Sequence, residues 1–316
     1  MFANTGSFDP AMQPPAHIAP APMPRRNDLG TPLPGRPKGV RARLRRSAVM
    51  SASVLAPRLA AAHLARRYLT ADQAVIDDLA HRKHRFGIVP LGEDTAILRM
   101  AARHLPDNGP RVLVLPGHDG HFRQFTRVAR ALQKRGGAVD MLIFPGHAHR
   151  SSGLCSLRHM VGAILRATRQ QGPYNGIVAH CVGSNALLHA LEEGQSLANR
   201  LALISVPLDL PALVRLGGRQ YGLNGRCLDH FVRHVDAIGA PYALGHDWQP
   251  LARSRSEGLL IVQARNDYAA PLENLRPLAE TWPGARLEVF EQGDHNGILN
   301  VTSAIRAIAE FIVPGD

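Results

Sequence analysis

The sequence predicts an α/β protein with a mostly parallel central sheet covered by helices on both faces. Two observations lead there. From about Arg111 onward, short apolar runs alternate with helical segments of about 10–15 residues. The loops that follow those runs hold the unusual polar residues, as expected where sites gather at the carboxyl edge of a parallel sheet. A chain of 316 residues, 45% hydrophobic and 20% charged, suits one large globular domain with extensions.

Residues 1–39 are rich in Pro, Ala and Gly and are expected to be disordered. The formal charge of +12 lies mostly at this end: residues 1–70 hold eleven Arg/Lys against Asp9 and Asp28. A basic arm of this kind could meet an acidic surface, anionic lipid or nucleic acid. Its prolines and lack of interleaved aromatics read instead as a solubilising tail. No specific nucleic-acid partner is expected, and a weak membrane-surface contact through the arm is the alternative. Residues 41–70 turn helical, with Leu55, Leu59, Ala62 and Leu69 on one side and Pro57 in a first turn. The domain reading is a Pro/Arg-rich arm at 1–45 and an α/β domain at 46–316. Within the latter, 46–85 is a helical extension and 207–250 a small cap.

The run 111–116 is a buried strand, followed by a helix over 122–135. A second strand at 139–144 precedes the loop PGHAHRSSG and a helix at 157–169. The strand at 176–179 leads straight into a helix over 182–193. Further strands fall at 201–206, 258–264 and 286–290, and a helix at 303–312 closes the chain. Residues 207–250 interrupt this rhythm with Gly/Pro-broken helical sequence, which reads as an insertion over one end. No run of about 18 uncharged apolar residues suggests a membrane span. Three cysteines without metal or CxxC spacing, and no signal-peptide pattern, point to a reducing, cytoplasmic setting. The oligomeric state is left open.

Five loops share the predicted edge: Pro116-Gly117-His118-Asp119-Gly120-His121, Pro145-Gly146-His147-Ala148-His149-Arg150, His180-Cys181-Val182-Gly183-Ser184, Arg265-Asn266-Asp267-Tyr268 and Gln292-Gly293-Asp294-His295-Asn296-Gly297. The third has the form of a nucleophile elbow, a strained strand–turn–helix with small residues two positions to either side, here Ala179 and Gly183. Such a bend often needs a positive φ. It leaves the sulfur exposed at a helix N-terminus, whose partial positive charge favours a thiolate. The other reading of Cys181 is a small buried cysteine without chemistry. Downstream, Asp267 and His295 complete the chain order nucleophile, acid, histidine.

On these motifs, the span from about Leu55 to Ile312 resembles the α/β-hydrolase superfamily, in its compact bacterial form with a short cap. Its loops commonly read His-Gly-x-x-Gly, then Asp-x-Pro-x-His-Gly-x-Ser, then Gly-His-Ser-x-Gly at the elbow; the counterparts here are 116–120, 145–149 and 179–183. The resemblance implies Cys181 as nucleophile, His295 as general base and Asp267 as the acid that orients the histidine. It also implies the backbone N–H groups of Val182 and His118 as the oxyanion hole. Pro116 stands where the family carries a histidine that braces this loop, which implies a differently shaped hole. A cysteine at the elbow is found in relatives such as dienelactone hydrolases and polyhydroxyalkanoate synthases. A thiol of pKa about 8.5 is drawn below 7 by a neighbouring imidazole. Attack on a carbonyl then gives an acyl-enzyme thioester.

The activity expected is cleavage of a small-molecule carboxylic ester or thioester. Acyl transfer to a carrier or alcohol, and a non-catalytic binding protein of the same fold, are the alternatives. Asp209 is the runner-up acid, Asp294 is read as a loop cap, and Ser184 as bonded to its helix backbone. The histidines His118, His121, His147, His149, His180 and His295 are read as lining a polar cleft, because no HExxH or other ligand pattern accompanies them. No metal and no cofactor is expected, and the absence of GK[ST] argues against a nucleotide. Cys155 and Cys227 are bystanders, while Tyr268 and Trp248 are candidate walls for the acyl group.

Overall fold

The computed structural model describes residues 40–71, 74–80, 86–92, 94–100, 109–118, 120–149, 153–194 and 196–315. Of the disordered arm expected at 1–45, residues 1–39 lie outside them.

Among the described residues, eight strands form one sheet: β1 (Phe86–Gly92), β2 (Thr95–Met100), β3 (Arg111–Leu115), β4 (Ala138–Ile143), β5 (Tyr174–His180), β6 (Ala198–Ile204), β7 (Gly258–Ala264) and β8 (Arg286–Phe290). Their spatial order is β1-β2-β4-β3-β5-β6-β7-β8. Strands β3 to β8 run parallel, and a β1–β2 hairpin joins the sheet antiparallel along β4. Because successive side chains face opposite sides, Val112 and Val114 enter one core while Leu113 and Leu115 enter the other.

Three helices precede the sheet: α1 (Val40–Leu55), α2 (Pro57–Tyr68) and α3 (Val75–Ala80). Two cover one sheet face, α4 (Thr126–Lys134) and, at the end of the chain, α11 (Thr302–Ile312). The opposite face is covered by α5 (Leu157–Gln171), α6 (Val182–Glu192) and α10 (Leu272–Thr281). Between β6 and β7 the chain leaves the sheet to form α7 (Leu210–Gln220), α8 (Gly225–Gly239) and α9 (Gln249–Ser254), and α2 packs on α8.

The structure departs from the sequence reading at particular elements. Helix α1 begins at Val40, inside the stretch expected to belong to the arm. The hairpin β1–β2 was not foreseen: Gly87, Pro90 and Gly92 read as strand breakers, and they are tolerated because β1 is an edge strand whose ladder can spare an N–H. Helix α10 was hidden by Pro277 in its interior. The apolar stripe expected through Leu55 and Leu59 is not the buried one. The helix breaks at Ala56, Leu55 and Leu59 are 84% and 75% exposed, and the buried face after the break is Ala61, Leu64 and Ala65. Among the described residues no helix is long and apolar enough to cross a membrane.

Candidate active site

The elbow forms where β5 ends at His180 and α6 starts at Val182, with Cys181 between them at φ 52° and ψ −133°. Two backbone hydrogen bonds hold that strained residue. Its N–H donates to the Ile204 carbonyl at 3.0 Å, and its carbonyl accepts from the Ser184 N–H at 2.9 Å. The small neighbours are sterically required. A Cβ on Gly183 would sit 2.3 Å from the Pro116 carbonyl oxygen, and one on Gly117 would sit 3.0 Å from the Cβ of Cys181.

Asp267 lies in the turn after β7, where its Oδ1 accepts the N–H groups of Ala269 at 3.0 Å and Ala270 at 3.1 Å. Those bonds aim the carboxylate at His295, whose Nδ1 lies 2.9 Å from Oδ2 and 3.0 Å from Oδ1. Both residues are buried. Burial opposes the charge on Asp267, but the hydrogen bond and charge of His295, helped by Ser205 and the Ala270 N–H, hold its pKa below the ordinary carboxylate value.

The other edge of the imidazole belongs to Cys181. The sulfur is the electrostatic neighbour that favours the charged ring, and Nε2 is buried without a hydrogen-bond partner among the described residues. Burial again works against a charged ring. The negative sulfur, together with the Asp267 carboxylate, nevertheless holds the His295 pKa well above the usual 6.5. Asp267 and His295 are therefore brought together in one buried pair.

His180 and His147 brace this arrangement. His180 Nε2 donates to the His295 carbonyl at 2.9 Å. Burial, with repulsion from His295, lowers the His180 pKa to about 3, so its ring is neutral. His147 reaches from the loop after β4 and donates through Nε2 to the His118 carbonyl. In this chain the loop after β3 is thus braced by His147 from the next loop, with Pro116 at the position where the resemblance implied a bracing histidine. The N–H of Val182 opens α6, one of the first helical amides without an intrahelical acceptor.

A narrow cleft of about 30 Å³ runs from His118 and Val182 between Tyr68 of α2, Met160 of α5, Leu213 of α7 and Leu244. Among the described residues, its lining holds no Asp, Glu, Lys or Arg. Cys181 itself is 2% exposed, where the elbow led us to expect an exposed sulfur, and it is not among the residues that line this cleft. The ring of His118 stacks on Tyr68, with centroids 5.8 Å apart.

The remaining sequence candidates have structural places. Asp209 caps α7 by accepting the Ala212 N–H at 2.9 Å, whereas Asp267 is the carboxylate that meets His295. Asp294 accepts the Gly297 N–H at 2.7 Å, the loop cap expected of it. The Ser184 hydroxyl is buried and bonds to none of the described residues, contrary to the expected helix bond. Neither Tyr268 nor Trp248 lines the cleft: Tyr268 is 37% exposed, and Trp248 packs on His189 and His246. Cys155 does line it, and Cys227 bonds weakly to the Pro57 carbonyl at 3.5 Å. His149 pairs with Asp77 at 2.8 Å, while His121 accepts the Arg123 N–H at 3.1 Å. Two residues had no distinguishing signal in the sequence. His147 was one loop histidine among several, and Ser205, at φ 49° beside Asp267, sat at the end of an apolar run.

Comparison with solved structures matches this architecture to many α/β-hydrolases. Est1E from Butyrivibrio proteoclasticus superposes with a TM-score of 0.56 at 16% identity, over 72% of this chain and 98% of that one. An esterase from Pyrococcus furiosus gives 0.55 at 15% identity, covering 77% and 97%. The esterase EaEST from Exiguobacterium antarcticum gives 0.52 at 16% identity, covering 71% and 98%. No family model and no curated protein matches by sequence. The chain has the α/β-hydrolase fold.

Proposed function

We propose that this protein hydrolyses a small-molecule carboxylic ester or thioester through Cys181, His295 and Asp267. The observation that supports the reading is the buried His295–Asp267 pair beside a cysteine on a positive-φ elbow, with the Cys181 sulfur as electrostatic neighbour of the ring. The thiolate attacks the carbonyl carbon and forms a C–S bond. The developing oxyanion is met by the N–H groups of Val182 and His118, and each such donor is worth about 10²–10³ in rate. Collapse expels the alkoxide or thiolate, which takes the Nε2 proton of His295 and leaves an acyl thioester on Cys181. Neutral His295 then deprotonates water, which attacks the thioester and releases the acid and the Cys181 thiolate. Esterase neighbours of the same fold support the reaction class. The apolar lining of the cleft favours an uncharged, apolar acyl group.

A second reading, acyl transfer to a carrier thiol or alcohol, draws support from the burial of Cys181 and His295 at 2% and 1% exposure, which restricts the approach of water. Intact-mass spectrometry during incubation with p-nitrophenyl esters and acyl thioesters of graded length separates the readings. Hydrolysis predicts turnover with an acyl adduct on Cys181, both abolished in Cys181→Ala. Transfer predicts an adduct that persists until an acceptor is added. Turnover that survives Cys181→Ala, or no adduct with any member of the panel, overturns both.

A further inference from the structure

Helix α6 starts at the elbow and ends at a cluster of a different kind. His189 and Glu192, one helical turn apart, face His246 from the segment that follows α8. We infer that His189, Glu192 and His246 form a binding site for a divalent transition-metal cation of the zinc class.

The geometry comes first. One potential ligand atom from each residue lies within 4.8 Å of the other two. His189 Nδ1 is 3.1 Å from Glu192 Oε2, and His246 Nε2 is 2.6 Å from Glu192 Oε1. A tetrahedral cation with bonds of about 2.0–2.1 Å separates its ligands by about 3.4 Å. The two ring nitrogens and one Glu192 oxygen start within 4.8 Å of one another, close to that spacing.

Hydrogen-bond bookkeeping points the same way. His189 Nε2 lies 3.2 Å from the Ala243 carbonyl, and Nδ1 faces a carboxylate oxygen. Both neighbours are acceptors, and a neutral imidazole donates from only one nitrogen. Giving the proton to the carbonyl reproduces the outer bond that metal-bound histidines usually make. It also turns the Nδ1 lone pair toward the Glu192 oxygen, and a cation between the two relieves that opposition. The donor set of two imidazoles and one carboxylate suits zinc and its neighbours rather than magnesium or calcium, which take all-oxygen shells.

The surroundings fit a structural clip. His189 is buried, His246 half-buried and Glu192 exposed, so a fourth position opens to water. The loop that carries His246 is already tied to α8, because Asp236 accepts the Leu244 N–H at 2.7 Å. Leu244 also lines the cleft, so a bound cation would fix one of its walls to α6.

The test uses the full-length chain without a tag, stripped with a chelator and titrated calorimetrically with Zn²⁺. Mg²⁺ serves as control, and Co²⁺ as a spectroscopic probe. Trp248 is a built-in reporter, since its ring lies 4.7 Å from His189 and 4.4 Å from His246. We expect one Zn²⁺ per chain, a melting temperature raised by several degrees, and quenching by Co²⁺ that disappears in Trp248→Phe. Glu192→Gln and His246→Ala should each weaken Zn²⁺ binding at least about tenfold, and Mg²⁺ should change nothing. Absence of saturable Zn²⁺ binding overturns the site, as does binding that both variants leave intact. Variants that shift the melting temperature without any response to Zn²⁺ leave a hydrogen-bonded network only, and overturn it too.

Discussion

A sulfur at the elbow changes what the imidazole beside it experiences. A serine hydroxyl there would be neutral in the resting state, whereas the Cys181 sulfur acts on His295 as a negative neighbour and stabilises the charged ring against its burial. Cys181→Ala removes that neighbour and keeps the Asp267 contact, so the His295 pKa should fall while the ring stays in place. Histidine ¹H–¹⁵N NMR titration measures this directly; an unchanged His295 pKa in the variant would show that the sulfur and ring are not coupled. The residues of this pair were legible in the sequence because each sits in a loop after an apolar run, in an order that one fold makes meaningful. His147 was not. Its role depends on a side chain crossing from the loop after β4 to a carbonyl in the loop after β3, and no spacing along the chain encodes that reach.

At the scale of elements, the two loops at the ends of β3 and β4 act as one unit. The His147 ring donates to the His118 carbonyl, and His118 supplies one of the proposed oxyanion donors. His147→Ala should therefore lower kcat by about 10²-fold, the scale of one lost donor. Alkylation of Cys181 by iodoacetamide should keep its wild-type rate. Equal losses in both measurements would instead mean that the loop collapses onto the elbow. The parallel strands were legible for the same reason that they are buried: a strand covered on both faces is apolar without interruption. The edge hairpin and α10 carried Gly and Pro, whose usual meaning is reversed at an edge or overridden by packing. The buried face of α2 could not be read, because the stripe was drawn through a break at Ala56.

For the molecule as a whole, burying ionisable groups at the sheet edge links stability to pH. Folded His180 stays neutral down to about 3, whereas an unfolded histidine takes up its proton near 6.5. Between those values the unfolded chain binds more protons, so stability falls as the pH is lowered through this window. A shift of this size is worth up to about 5 kcal/mol at 1.36 kcal/mol per unit, a large share of the roughly 5–15 kcal/mol of a typical domain. Asp267 adds to the acid loss, since its contribution is complete above 3.8 and disappears as the pH drops through its lowered folded value. His295 has the opposite sign: its raised pKa stabilises fully below 6.5, and that part is lost as the pH rises through the folded value. Urea unfolding at pH 7, 5.5 and 4.5 should show a midpoint that drops steeply on the acid side. His180→Gln keeps a neutral donor for the His295 carbonyl and removes the titrating ring. Its midpoint should therefore start lower at pH 7 and decline less toward pH 4.5. Parallel declines in the two proteins would assign the acid sensitivity to other groups and leave the His180 ring without a part in it.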